Sequence, residues 1–212
     1  MNVVVVGGHG KIGMRLLKLL GDRGDTGRGV IRNPDQAKDL EAIGATPIVL
    51  DIENKEIGDA VAGADAVIFA AGAGAGSGPA RKQTVDYGGA VKLIDAAKAN
   101  GVSRYLIVSA MGVNHPERWS ERMRPYYEAK AAADKAVAES GLDYTIVRPG
   151  GLTDDPGTGK VEIAERLDRS GRVSRDDVAL ILAECLTAEN TFGKSFDLLG
   201  GDTPVAEAVR SL

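Results

Sequence analysis

The chain has 212 residues and a formal net charge of −4, which leaves no basic face for a nucleic-acid backbone or an anionic membrane. At this length one core suffices, since folding removes roughly 70% of the unfolded surface from water. No apolar run approaches about 18 residues, and the amino end begins on a strand rather than on the basic and apolar regions of a leader, so a cytoplasmic protein is expected.

The first strand, Val3 to Val6, ends in Gly7-Gly8-His9-Gly10-Lys11-Ile12-Gly13 and runs into a helix over Lys11 to Asp22. That order of strand, glycine turn and helix start places a pyrophosphate on a helix N-terminus. Gly7 and Gly8 permit the sharp exit, Gly10 lets backbone approach phosphate oxygens, and Gly13 lets the helix pack tightly. The spacing satisfies Gly8-x-Gly10-x-x-Gly13 and Gly7-x-x-Gly10-x-x-Gly13 together. The whole turn, His9, Lys11 and Ile12 included, is the predicted cofactor cradle.

The second strand, Val30 to Ile31, is interrupted upstream by Gly27 and Gly29, which fit either a weak strand or a close approach. Its tip is Arg32. A carboxylate there would accept from a ribose 2′-hydroxyl and select NAD, whereas a guanidinium forks onto a 2′-phosphate. NADP(H) is therefore expected over NAD(H). The alternative is a solvated arginine beside a helix over Pro34 to Ile43.

Further strands are expected at Thr46 to Leu50, Ala66 to Ala70, Tyr105 to Val108, Tyr144 to Val147 and Ser195 to Leu199. Helices are expected at Ile57 to Ala62, Lys82 to Asn100, Tyr126 to Ser140, Asp176 to Leu186 and Pro204 to Val209. This alternation predicts an α/β Rossmann fold, a doubly wound parallel sheet with helices on both faces. One domain spans 1–212, with a core over 1–150 and a small substrate-side portion over 151–212. The segment Gly72 to Gly78 follows the fourth strand and reads as a flexible loop over the cofactor or as a disordered spacer. The stretch Arg118 to Arg124 reads as a solvated loop or short helix.

Cys185 lies among Leu182, Ala183 and Leu186 and reads as a buried structural thiol. His9 and His115 are too few and too far apart for a metal site, and none is expected.

Tyr126 and Lys130 stand at i and i+4, on one helix face. An ammonium there would stabilise phenolate and pull the tyrosine pKa toward working pH. Ser109 emerges from the strand ending at Val108, near the same place. Together the three would polarise a carbonyl while a nicotinamide delivers hydride. Tyr127 competes for the role of Tyr126, and the bland alternative is a packed tyrosine with a snorkelling lysine.

In order, the glycine turn, Arg32-Asn33-Pro34, Leu50-Asp51, Ala70-Ala71-Gly72, Val85-Asp86-Tyr87, Val108-Ser109, Tyr126 with Lys130, and Arg148-Pro149-Gly150 resemble the atypical short-chain dehydrogenase/reductases, the NAD(P)H-binding, NmrA-like branch. The similarity continues through Ser174 to Ala179 and Phe196 to Pro204. It implies that Asp51 and Ile52 line the adenine, that Ala70, Ala71 and Gly72 contact the adenosine ribose, that Lys130 also holds a cofactor ribose, and that Pro149, Gly150 and Gly151 abut the nicotinamide. Asp86 stands where related dehydrogenases carry an active-site asparagine. An ionised Asp cannot donate a hydrogen bond, so an amide-based relay does not carry over unchanged. Asp86 fits a helix N-cap equally well.

The expected function is an NADP(H)-dependent oxidoreductase that reduces a small carbonyl, quinone or flavin-like acceptor, with Tyr126, Ser109, Lys130 and Asp86 as the catalytic set. Only about 60 residues follow Gly150, so a small, fairly open pocket is expected. The alternatives are a non-catalytic NADP(H)-binding redox sensor and an epimerase or dehydratase with tightly held cofactor. A monomer or a homodimer fits the chain.

Overall fold

The computed structural model describes residues 1–74 and 76–212. Its strands are β1 (Asn2–Val6), β2 (Thr26–Ile31), β3 (Thr46–Val49), β4 (Ala66–Phe69), β5 (Arg104–Val108), β6 (Asp143–Pro149), β7 (Gly151–Thr153), β8 (Lys160–Ala164), β9 (Arg172–Ser174), β10 (Lys194–Gly200) and β11 (Thr203–Pro204). Its helices are α1 (Lys11–Asp22), α2 (Ala37–Ala42), α3 (Gly58–Val61), α4 (Pro79–Arg81), α5 (Gly89–Ala99), α6 (Arg124–Ala138), α7 (Arg175–Cys185) and α8 (Val205–Arg210). Among the described residues no helix is long and apolar enough to cross a membrane.

One sheet runs in the order β11-β8-β10-β6-β5-β4-β1-β2-β3. From β3 to β10 its neighbours are parallel; β8 runs against β10, and β11 against β8. Strand order reverses at β1, which has β2 on one side and β4 on the other. At such a reversal the connections leave to opposite faces and open a crevice at the carboxyl ends of the strands. This is the doubly wound Rossmann arrangement.

The valines of β1 show why the sheet needs both helical layers. Val3 and Val5 join the core formed with Leu16, Leu20 and Leu182, while Val4 and Val6 join the one formed with Leu93, Ala97 and Val137. Both faces are dry, so the strand reads as a continuous apolar run. Gly27 and Gly29 belong to β2 because of close approach. A Cβ on Gly27 would lie 2.8 Å from Leu17 Cδ2, and one on Gly29 would lie 2.8 Å from Leu17 Cδ1 and strike Leu40. Cys185 is buried, and burial pushes its thiol pKa up to about 12.

Two expectations change. The single helix expected over Lys82 to Asn100 is instead a π-helical turn, Lys82–Gly88, between α4 and α5. A π turn inserts an extra residue and re-aims side chains, commonly at functional sites. Here Val85 and Asp86 turn inward. Beyond Pro149 the chain is richer in strands than expected, with β7 paired to β9 and β8 threaded between β10 and β11. Charged residues at Lys160 and Glu162 break the apolar run that marks the other strands. The expected Gly72 to Gly78 loop includes Ala75, which lies outside the described residues.

The end of the sheet away from the crevice is closed by Arg104, at the start of β5 and 4% exposed. It donates to Asp143 O (2.6 Å), Thr145 Oγ1 (2.8 Å), Thr191 Oγ1 (3.0 Å), Leu186 O (3.2 Å) and Cys185 O. Burial draws its pKa down to about 10. Arg104→Met strands several buried acceptors and is expected to cost about 3 kcal/mol or more of unfolding free energy in a urea titration; a loss below about 1 kcal/mol would show that water replaces the guanidinium without penalty.

Candidate cofactor and active site

The glycine turn joins β1 to α1 by contacts no side chain could survive. Gly7 has φ +87°, in the left-handed region. A Cβ on Gly7 would lie 2.8 Å from Ala71 Cα, one on Gly8 2.7 Å from Gly29 Cα, and one on Gly13 would overlap the Gly7 carbonyl. Gly8 N–H donates to Val30 O and Gly10 N–H to Gly7 O, both at 2.9 Å. Gly10 is the N-cap of α1 and brings no side-chain acceptor. The amides of the first helical turn are therefore left for an external anion, a cradle that fits a pyrophosphate.

Two cavities flank this turn. The smaller, about 200 Å³, is lined by Gly7, Arg32, Asn33, Asp51, Ile52, Ala71 and Gly72. This gathers Arg32, Asp51, Ile52, Ala71 and Gly72 of the expected adenosine residues into one place, while Ala70 lines the larger cavity instead. The smaller cavity also holds two residues that the sequence reading missed, Glu53 and Arg81. Arg81 donates to Glu53 Oε2 through Nε (3.1 Å) and Nη2 (3.0 Å), and Arg32 lies 3.9 Å from the same oxygen. Arg81 reaches back from α4, and no spacing rule links it to Arg32.

The larger cavity, about 830 Å³, is lined by Ile12, Ala70, Ala71, Gly72, Asp86, Ser109, Tyr126 and Lys130, with Ser77, Lys82, Arg122, Met123 and Arg175. The expected catalytic set thus meets in one space. Lys130 is buried; its Nζ donates to Val108 O at 3.1 Å and lies 3.3 Å from Asp86 Oδ1. Asp86 Oδ2 accepts the Ala73 N–H at 3.0 Å. Asp86 is therefore no N-cap, a position Gly88 holds for α5. Ser109 Oγ is buried and makes no hydrogen bond of good geometry among the described residues, although it interacts with the Asp134 carboxylate. One turn beyond Lys130, Asp134 pairs with Arg148 Nε at 2.8 Å, and its Oδ1 likewise makes no hydrogen bond of good geometry. Burial raises the Asp134 carboxyl above its usual range despite that guanidinium.

Tyr126 reverses one expectation: its pKa is raised, not lowered. Burial is the main cause, followed by the charges of Asp86 and then Tyr127 and Asp134. The Lys130 ammonium is engaged by a carbonyl and a carboxylate, so the phenol meets the partner's negative charge as well as the cation. Tyr127 faces elsewhere. It stacks on Trp119 with ring centroids 5.6 Å apart and lies against Gly112, lining an adjoining cavity of about 340 Å³. Tyr126 lines both cavities, and Pro149, Gly150 and Gly151 line the adjoining one.

His9 is turned toward α2, with Nε2 2.7 Å from Asp39 Oδ2. Lys11 Nζ reaches Asp154 Oδ2 at 2.5 Å, and Arg175 Nη1 reaches Asp154 Oδ1 at 2.9 Å. Asp154 thereby straps the C-terminal portion to the glycine turn, and the Lys11 ammonium holds its carboxyl below the usual range. The stretch Arg118 to Arg124, expected as a solvated loop or short helix, supplies Arg122 and Met123 to the large cavity.

Comparison with known proteins agrees with this geometry. A family model for NAD(P)H-binding proteins matches residues 7–189. The uncharacterized sugar epimerase YhfK of Bacillus subtilis is 45% identical over 215 residues, covering 100% of both chains. The structure of a Bacillus halodurans protein provisionally assigned as an NAD-dependent epimerase/dehydratase superposes with a TM-score of 0.96 at 38% identity, covering 100% of both chains. ChuY of Escherichia coli O157:H7, an anaerobilin reductase, superposes with a TM-score of 0.83 at 28% identity, covering 95% of this chain and 98% of its own. The glycine cradle, the doubly wound sheet and these full-length similarities place the chain in the NAD(P)H-binding family.

Proposed function

We propose that the chain is a cytoplasmic NADP(H)-dependent reductase of a small carbonyl, quinone or flavin-like acceptor. The observation that carries this reading is the convergence of Ser109, Tyr126 and Lys130 on one cavity. The Ser109 hydroxyl makes no hydrogen bond of good geometry among the described residues, although it lies close enough to Asp134 to favour that carboxylate's charged form. An acceptor oxygen would receive the Ser109 hydrogen bond in place of that carboxylate.

The bound nicotinamide supplies hydride; the rest falls to this chain. Main-chain amides of the glycine turn would hold the pyrophosphate, Arg32 and Arg81 in the smaller cavity would take the 2′-phosphate, and Lys130 in the larger cavity would hold a cofactor ribose. Asp86 positions Lys130 and ties it to the backbone at Ala73. Ser109 orients the acceptor oxygen, and Tyr126 delivers a proton to it, so that the acceptor gains one hydride and one proton.

The raised Tyr126 pKa supports this direction. A phenol that keeps its proton is a donor rather than a base, which suits reduction. An epimerase with held cofactor, the activity after which the Bacillus relatives are named, needs the same tyrosine first to take a proton. Cofactor that co-purifies with the protein and shows no net oxidation would favour that reading.

Replacing Tyr126 by Phe should lower turnover by about a hundredfold or more and leave NADPH affinity within a few-fold; unchanged steady-state turnover would remove Tyr126 from the chemistry. Because its protonated form is the active one and its pKa is raised, turnover should persist with rising pH to at least about 10, the ordinary tyrosine value. An alkaline loss centred near neutrality in a pH–rate profile would contradict this. Arg32→Ala should weaken NADPH binding by about tenfold to a hundredfold and spare NADH, as charge-assisted contacts to phosphate imply. Equal losses for both cofactors by calorimetry would assign Arg32 to surface solvation.

A further inference from the structure

Building on the reductase reading, we infer that the acceptor carries an anionic group, a carboxylate or a phosphate, and that Lys82 and Arg122 receive it. Both side chains line the large cavity beside Tyr126. The residues allotted to the cofactor account for only part of that lining.

Charge balance separates these two cations from the others in the cavity. Lys130 is answered by Asp86 at 3.3 Å, and Arg175 by Asp154 at 2.9 Å. Lys82 meets no carboxylate among the described residues. Its Nζ donates to Ser77 Oγ at 3.3 Å and stands 5.4 Å from the centre of the Tyr126 ring. Arg122 has neither a hydrogen bond nor an ion pair among the described residues. Half-buried Lys82 and exposed Arg122, two positive charges without a carboxylate partner among the described residues, raise a local potential that gathers anions.

The dinucleotide's own charges are placed elsewhere. On the proposed reading its pyrophosphate goes to the first turn of α1, and the extra phosphate of NADP goes to Arg32 and Arg81 in the smaller cavity, displacing their contact with Glu53. Lys82 is instead packed against the ring of the proposed proton donor, where the acceptor must lie. An anion held there sits within one aromatic ring of the reacting oxygen. The occupant is therefore a compact electrophile with a charged arm rather than a neutral one.

Matched probes test this on the protein saturated with NADP⁺. Calorimetric dissociation constants are measured for FMN against riboflavin, which differ by a phosphate, and for 4-carboxybenzaldehyde against benzaldehyde, which differ by a carboxylate. In at least one pair the anionic member should bind about tenfold to a hundredfold more tightly, and the pair with the larger ratio identifies the arm. Lys82→Gln and Arg122→Gln should each erase most of that ratio while leaving the neutral probe and NADP⁺ affinity within twofold. Ratios near one in both pairs, or a ratio that survives in the double variant, overturn the inference. If the ratio and its loss are seen but no probe or other acceptor oxidises NADPH, the anion site stands and the reductase reading falls.

Discussion

The fold and the site both depend on how closely backbone meets backbone where β1 ends. Gly7 lies against Ala71 at the end of β4, Gly8 against Gly29 in β2, and Gly13 against the Gly7 carbonyl. These contacts bring three strand ends and a helix start within reach of one ligand. Sheet topology explains why the meeting point is here, because β1 is the strand at which the order reverses. A Cβ at any of the three positions would push these elements apart.

The Lys130–Asp86 pair organises the chemical end of the crevice in a comparable way. It joins α6 to the π turn before α5 and, through Ala73, to the chain leaving β4. Taking both charges out of water is costly, and added hydrogen bonds offset part of it, although Asp86 Oδ1 itself makes none among the described residues. The Val108 carbonyl and the Ala73 amide supply those bonds. The pair also sets the local field, in which the nearby carboxylate and burial hold the Tyr126 proton in place.

Much of this was legible in the sequence. Apolar runs marked the strands that became β1, β4, β5, β6 and β10, and the spacing of Tyr126 and Lys130 correctly placed both on one helix face. The glycine turn and Arg32 fell where local rules put them. What escaped reading depends on tertiary approach: Arg81 and Glu53 meet Arg32 from separate elements, Asp154 reaches across the crevice to Lys11, and Arg122 enters from a loop of unremarkable charge. The sign of the Tyr126 shift escaped for a related reason. Spacing reveals the lysine four residues away but not the buried carboxylate that engages it. The π turn has no simple residue signature, and β8 carries too many charges to register as a strand.

Binding of a nicotinamide dinucleotide by main-chain amides at the start of α1 underlies every role proposed for this crevice. Amide ¹⁵N–¹H correlation spectra recorded while NADP⁺ is added test it residue by residue. Saturable shifts, largest at Gly10, Lys11, Ile12 and Gly13, are expected. Shifts confined to other parts of the chain, or none at millimolar NADP⁺, would contradict it.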